Sequence, residues 1–358
     1  MQENFRGKIK LKFNPVYDYL GSLIRLSRNQ DFEKEQEKLE IEQNLEIKKW
    51  VERTKKSLNK KNQRLLKFFF ANKRSPGSGL LKYIFTLEEN YQELTVDDFL
   101  HELKNINKNK LLYYLIVNNY NGSKELSPKI IKKWKNKNLY NIVNNNFEVS
   151  AEEKWQIIKL FNEINSIKEK LVCFLTDYYH KYYKYEEEKI NGFLTKHLEK
   201  NKEDLKKAVY KGITEIFSLE YSLINFERVL NTRITYFGEF GDFGYFEKNL
   251  FVVGYNYPKY INKVIPSQDN LEQQIHILKA LADKTRLKLL NELKNESKYM
   301  TELANKFEIS NPTVDYHLKK FLQAGLIKID KSENRIYYKM KKDKITNLIN
   351  LLERYFDL

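Results

Sequence analysis

Met300-Thr-Glu-Leu-Ala-Asn-Lys-Phe-Glu-Ile-Ser-Asn-Pro-Thr-Val-Asp-Tyr-His-Leu-Lys-Lys-Phe-Leu-Gln-Ala-Gly-Leu-Ile327 holds two short helical patterns separated by a three-residue turn. In the first, Leu303, Ala304 and Phe307 face inward, Thr301 is placed to cap the start, and the small Ala304 lets two helices approach closely. In the second, Ser310 is a natural N-cap, and Pro312 is tolerated in the first turn because the N–H it lacks has no partner there. Val314, Leu318, Phe321 and Leu322 then fall on one side. Ala324-Gly325 ends the helix, since glycine takes the left-handed conformation readily. The spacing predicts a helix-turn-helix whose second helix starts within a residue of Asn311 and keeps a polar face outward.

That outward face consists of Asn311, Thr313, Asp315, Tyr316, Lys319 and Lys320, as expected of a helix that lies in a DNA major groove. Together with Ser310 and Pro312 at the helix start, these are the candidate contact residues. Asn311 can make a bidentate contact to adenine, and Thr313 can donate to a base or meet a thymine methyl. Lys319 and Lys320, farther along, suit phosphates. Asp315 is repelled by phosphates unless it accepts from a cytosine amino group or orients a neighbouring side chain. Tyr316 either meets the DNA backbone or packs on its own helix. For His317 the alternatives are a phosphate contact and a satisfied, partly buried imidazole.

Downstream, Leu326-Ile-Lys-Ile-Asp330 and Arg335-Ile-Tyr-Tyr-Lys-Met340 alternate like two strands, joined by Lys331-Ser-Glu-Asn334, where Asn334 can accept positive φ. This hairpin would be a wing. Arg335 at its base and Lys331 near its tip could enter the adjacent minor groove, the alternative being a solvated tip. Ile345, Leu348, Ile349, Leu352 and Phe356 then form a helical apolar stripe that a module this small cannot bury alone, so a second copy of the chain is its natural cover. Upstream, Asp283 can cap a helix in which Leu287, Leu290 and Leu293 recur as a core face.

These residues resemble the ArsR/SmtB family of winged-helix repressors. The resemblance is carried by Leu278-Lys-Ala-Leu-Ala-Asp-Lys-Thr-Arg-Leu-Lys-Leu-Leu290, Glu302-Leu-Ala304, Ser310-Asn-Pro-Thr-Val-Asp-Tyr-His-Leu318, Ala324-Gly-Leu-Ile327 and Arg335-Ile-Tyr-Tyr338. It covers roughly the last quarter of the chain. It implies a homodimer built from the first and last helices of the module, and binding to an inverted repeat in double-stranded DNA with half-sites about 34 Å apart. Metal-sensing members look for thiolates in the first helix of the pair, or for His and Asp on the last. Tyr299 to Lys306 has no Cys, and Asp343 to Leu358 has neither His nor Cys, so no metal or other cofactor is expected. Lys284 stands where the family usually has Pro, and Asp315 where a small hydroxyl is usual.

With 358 residues, the chain is longer than a DNA-binding module, which needs under about 100. The Tyr257 to Asn270 segment, with two prolines and a polar cluster, puts a boundary near Pro266: a regulatory or dimerisation domain over 1–265 and the winged helix over 266–358. Net charge is +16, which favours polyanionic partners, but residues 266–358 carry 17 Lys and Arg against 13 Asp and Glu, so most of the basicity lies upstream. Runs such as Leu111-Leu-Tyr-Tyr-Leu-Ile-Val117 fall short of the roughly 18 to 20 apolar residues of a membrane span. The start lacks a secretion signal, and Cys173 is a single cysteine, so a reduced cytoplasmic setting is expected.

The overall fold class expected is mainly α with small β. Lys8 to Phe13 and Leu250 to Tyr255 read as strands of a small antiparallel sheet that joins both ends of an otherwise helical N-terminal domain. Residues 31 to 74 read as solvated Glu/Lys-rich helices or as a further basic face, and Asn72 to Gly79 as a loop. Phe237-Gly-Glu-Phe-Gly-Asp-Phe-Gly-Tyr-Phe246 lacks the Lys and Ser/Thr of a phosphate loop and reads as a strand pair with tight turns. Asp177 and His180 lack a third metal ligand, and Tyr178 to Tyr185 suits a helical core better than a ligand pocket. No catalytic constellation emerges. The expectation is a dimeric, non-enzymatic transcriptional repressor that answers a non-metal effector through its N-terminal domain. The alternatives are an enzyme or ligand-modifying domain fused to a winged helix, and a winged helix used for protein docking.

Overall fold

A computed structural model describes residues 8–72, 74–120, 126–134, 137–216, 228–245, 248–265, 271–332 and 335–356. The chain enters through strand β1 (Ile9–Phe13), and Asn14 then caps a long helix, its Oδ1 accepting from Val16 N at 2.9 Å with Pro15 in the first turn. That helix is α1 (Pro15–Lys38). It is followed by α2 (Leu45–Ser57), α3 (Lys60–Phe70), α4 (Leu80–Glu88), α5 (Val96–Asn105), α6 (Lys108–Ile116), α7 (Pro128–Trp134), α8 (Leu139–Asn146), α9 (Ala151–Tyr178) and α10 (Lys184–Glu215). A short π-helical turn, Tyr179–Tyr183, joins the last two. Strands β2 (Leu230–Thr235), β3 (Asp242–Tyr245) and β4 (Leu250–Gly254) and helix α11 (Tyr257–Val264) complete this part.

The first sheet has the order β1-β2-β4-β3 and does join the two ends of the region. It is mixed rather than antiparallel: β1 pairs in parallel with β2 and β2 with β4, and only β3 runs against β4. Parallel pairing needs a long crossover, and the helices between β1 and β2 supply one, whereas β3 and β4 are close enough in sequence to form a hairpin. The glycine-rich segment accordingly becomes a turn over residues 237–240 and then β3.

Tyr178, Tyr179 and Tyr183 are buried around Tyr19, with ring centroids 5.8, 5.8 and 5.3 Å from it, so this part of the tyrosine run is core. Of the segment expected as a loop, Asn72 and Arg74 are exposed and Ser75 to Gly79 is buried. Pro76–Gly79 is a buried 3₁₀ turn, and a Cβ on Gly79 would lie 1.7 Å from the Tyr114 carbonyl oxygen, so only glycine permits that approach. Asp177, once a metal candidate, pairs with Lys181 Nζ at 3.2 Å.

The C-terminal part runs α12 (Leu271–Leu281), α13 (Lys284–Glu292), β5 (Lys298–Tyr299), α14 (Met300–Phe307), α15 (Asn311–Gln323), β6 (Ile327–Ser332), β7 (Arg335–Met340) and α16 (Lys342–Phe356), with sheet order β5-β7-β6. It is a winged helix-turn-helix. One buried apolar cluster gathers residues from Ile9 to Ile265 and a second gathers residues from Ile277 to Leu348. Among the described residues no helix is long and apolar enough to cross a membrane.

Candidate nucleic-acid interface

Asp283 caps α13 as expected, its Oδ1 accepting from Arg286 N at 2.8 Å, and that hydrogen bond holds its carboxyl below the usual range. The inward face of α13 is shifted from the expected one. Leu289, Leu290 and Leu293 are buried, while Leu287 is 53% exposed, because the face centres on Leu289 and Leu293 and Leu287 lies to its side.

Helix α14 starts differently from expectation. Tyr299 ends β5, which pairs with Tyr337 of β7, and its N–H is capped by Glu302 Oε2 at 3.0 Å. Thr301 therefore sits inside the first turn, exposed, and caps nothing: strand pairing delivers the chain into the helix two residues earlier. Leu303 and Ala304 are buried as expected. The turn that follows uses Glu308 at φ 55°, a left-handed conformation that costs a side chain free energy.

Ser310 caps α15: Thr313 N donates to its Oγ at 3.3 Å, and the Ser310 and Thr313 hydroxyls lie 2.8 Å apart. The helix begins at Asn311, and Val314, Leu318, Phe321 and Leu322 are buried. Gly325, at φ 68°, ends it, with Leu326 N donating to Phe321 O at 2.9 Å and Gly325 N to Leu322 O at 3.0 Å. Asn311, Pro312, Thr313, Tyr316 and Lys319 are exposed, and Asp315, His317 and Lys320 are half-buried.

Within this face the polar groups engage one another. Lys319 Nζ lies 2.6 Å from Asp315 Oδ2, one helical turn away, so the carboxylate orients a neighbouring cation. Lys320 Nζ is 5.7 Å from the centre of the Tyr316 ring. His317 Nδ1 is buried with no hydrogen-bond partner among the described residues. Burial holds its pKa below the ordinary value, the nearby Asp283 opposing this and Arg286 adding to it. The Asp315–Lys319 pair had a visible signal in its i,i+4 spacing. The approach of His317 to Asp283 and Arg286 had none, because they sit on different helices.

The wing is a longer hairpin than expected. β6 extends through Ser332, which pairs with Arg335, and Lys331 pairs with Ile336, so Lys331 lies in the ladder. Asn334 lies outside the described residues, as do the side chains of Lys331 and Arg335. Met340 N donates to Leu293 O at 3.0 Å and Lys341 N to Leu326 O at 2.8 Å, fixing the wing against the ends of α13 and α15. Ile349 and Phe356 of the last helix are exposed, as are Tyr355 beside them and Ile275 and Leu278 of α12, while Leu348 is buried.

Two helices with a tight turn, followed by a hairpin wing that pairs with the strand before them, define a winged helix-turn-helix DNA-binding module. Within it, residues 283–328 match the family model described as bacterial regulatory protein, arsR family. The transcriptional repressor SdpR of Bacillus subtilis (strain 168) is 29% identical over 82 residues, 23% of this chain and 91% of its own. The transcriptional activator HlyU of Vibrio cholerae serotype O1 is 26% identical over 89 residues, 25% of this chain and 82% of its own. Among solved structures, an ArsR-like transcriptional regulator from Rhodococcus sp. RHA1 is 24% identical, covering 24% of this chain and 81% of that one, with a TM-score of 0.24.

Proposed function

We propose that this protein is a homodimeric transcriptional repressor that binds an inverted repeat in duplex DNA and is released or retained by a non-metal signal received in residues 1–265. The division into 1–265 and 266–358 draws support from the two separate apolar clusters. The observation that carries the reading is the outward face of α15, where Asn311 and Thr313 stand at the helix start, next to the groove floor in a docked helix, and Lys319 and Lys320 stand farther along. In this reading Asn311 and Thr313 read bases. Ser310, Pro312, Tyr316, His317, Lys319 and Lys320 position the helix on the backbone, Lys331 and Arg335 reach the neighbouring groove from the wing, and Asp315 sets where Lys319 points.

The test is selection from random duplex DNA with the full chain. The expected product is an inverted repeat with half-sites about one helical turn apart. Asn311→Ala should cost about 1 to 3 kcal/mol on that repeat and little on random duplex. Equal losses on both would remove Asn311 from base reading, and no enriched duplex at all would favour a protein-docking role for the winged helix.

A further inference from the structure

One side of α1 faces the glycine-rich turn, and between them lies a cavity of about 390 Å³, within the range of roughly 300 to 1,000 Å³ that holds small ligands. From α1 it is lined at helical spacing by Gly21, Ile24, Arg28, Phe32 and Glu35. The opposite wall is aromatic: Phe240 stacks on Tyr260 with centroids 5.8 Å apart and meets Phe32 at 5.6 Å. Gly21 leaves room, since a Cβ there would find no neighbour nearer than Gly238 N at 3.8 Å.

The turn that forms this wall is anchored from behind. Glu239, fully buried at φ 49°, accepts from Arg25 Nη1 at 2.7 Å and from Gln36 Nε2 at 2.9 Å. The Arg25 guanidinium lies 4.5 Å from the centre of the Phe32 ring, so one aromatic of the lining already holds a cation, neutralised by Glu239. Such anchoring keeps the rings in place before any ligand arrives.

Charge selects the ligand class. Among the described residues, the acidic and basic side chains lining the cavity are Arg28, Asp31 and Glu35. Arg28 Nε and Asp31 Oδ2 pair at 3.0 Å, and Glu35 has no ion-pair partner among the described residues. In a chain of net charge +16, the described lining of this cavity carries one more acid than base. Its one cation is already neutralised, whereas the ring faces and the Glu35 carboxylate both attract positive charge.

We propose that this cavity binds a flat aromatic cation, its rings against Phe32, Phe240 and Tyr260 and its charge toward Glu35. That such a ligand is the signal of the regulator rests on the function proposed above; its binding does not.

N-Methylacridinium, neutral acridine and acridine-9-carboxylate share one fluorescent three-ring frame and differ in charge. Titrated into the full chain at neutral pH, where acridine is uncharged and the acridinium ion is intact, the cation should bind saturably and about tenfold more tightly than the other two. Glu35→Gln should remove most of that advantage while leaving acridine unchanged, and Gly21→Leu should abolish binding of all three. Equal affinities for the three charges, or cation binding indifferent to Glu35→Gln, would overturn the proposal. Glu35→Gln decides alone if a melting curve shows Gly21→Leu to be unfolded. Duplex binding by the same dye-free samples reports on the regulator separately: dye binding without duplex binding keeps the cavity and removes the DNA-binding role.

Discussion

Lys319 has two competing partners, the Asp315 carboxylate one turn away and any phosphate brought to the helix. The pair at 2.6 Å is largely exposed, so it is worth about 0 to 1 kcal/mol and yields readily to DNA. Asp315→Ala should therefore strengthen binding to random duplex and steepen its salt dependence by about one in the log–log slope. An unchanged slope, measured by fluorescence anisotropy across a salt series, would mean that Lys319 meets no phosphate. Asp18 presents the opposite case, a carboxylate sealed inside the protein. It accepts from Tyr236 N, from Phe237 N at 2.9 Å and from the Tyr183 hydroxyl at 3.1 Å, yet desolvation raises its pKa from 3.8 to about 6. Between about pH 4 and 6 the folded state thus holds a proton that the unfolded chain has already released. This contribution to stability is fully present below about pH 4 and is lost as pH rises through about 6. Asp18→Asn keeps one oxygen for both backbone donors and carries no charge, so its melting temperature relative to the parent should rise between those pH values. A constant difference across that range would refute the buried charge.

Helices α14 and α15 end in the same way, with the chain turning through a left-handed residue and the next N–H reaching back five residues. Ile309 N donates to Ala304 O at 3.1 Å, and Leu326 N to Phe321 O at 2.9 Å. One end uses Gly325 and the other Glu308, although a side chain at positive φ costs about 1 to 2 kcal/mol. Gly325→Ala should lower stability by about 1 kcal/mol, and Glu308→Gly should raise it by about 0.5 kcal/mol once the greater freedom of glycine in the unfolded chain is subtracted. Urea denaturation of the two variants checks both signs. The contrast also shows what local sequence can convey. Gly325 announced its turn because glycine is the residue that turn prefers, whereas Glu308 is forced into it by the packing of α14 on α15. Thr301 looked like a cap by residue type, but pairing of β5 with β7 starts the helix earlier. Leu287 shared the leucine spacing of its helix, and only the position of neighbouring elements left it outside.

Across the whole molecule, the homodimer proposed above would cover the apolar side chains left exposed on α12 and α16. Ile275, Leu278, Ile349, Tyr355 and Phe356 are 38% to 63% exposed. A charge placed among them should oppose association by about 2 kcal/mol. Ile349→Glu is therefore expected to weaken self-association about thirtyfold in sedimentation equilibrium and to weaken binding to a two-half-site duplex with it, while a single half-site is bound as before. Unchanged association would move the dimer contact elsewhere.

The helix-turn-helix, the Ser310 cap and Gly325 end of its second helix, the wing and the likeness to one regulator family were determined by sequence alone, because each depends on residues a few positions apart: an apolar repeat, Ser310 before a helix, Gly325 after it. The mixed sheet, the aromatic cavity beside α1 and the burial of Asp18 were decided only by tertiary structure. Ile9 meets Leu230, Arg25 meets Glu239 and Asp18 meets the turn after β2 across most of the N-terminal region. Such contacts leave no periodicity to read, since they arise from how the packed elements meet rather than from local propensity.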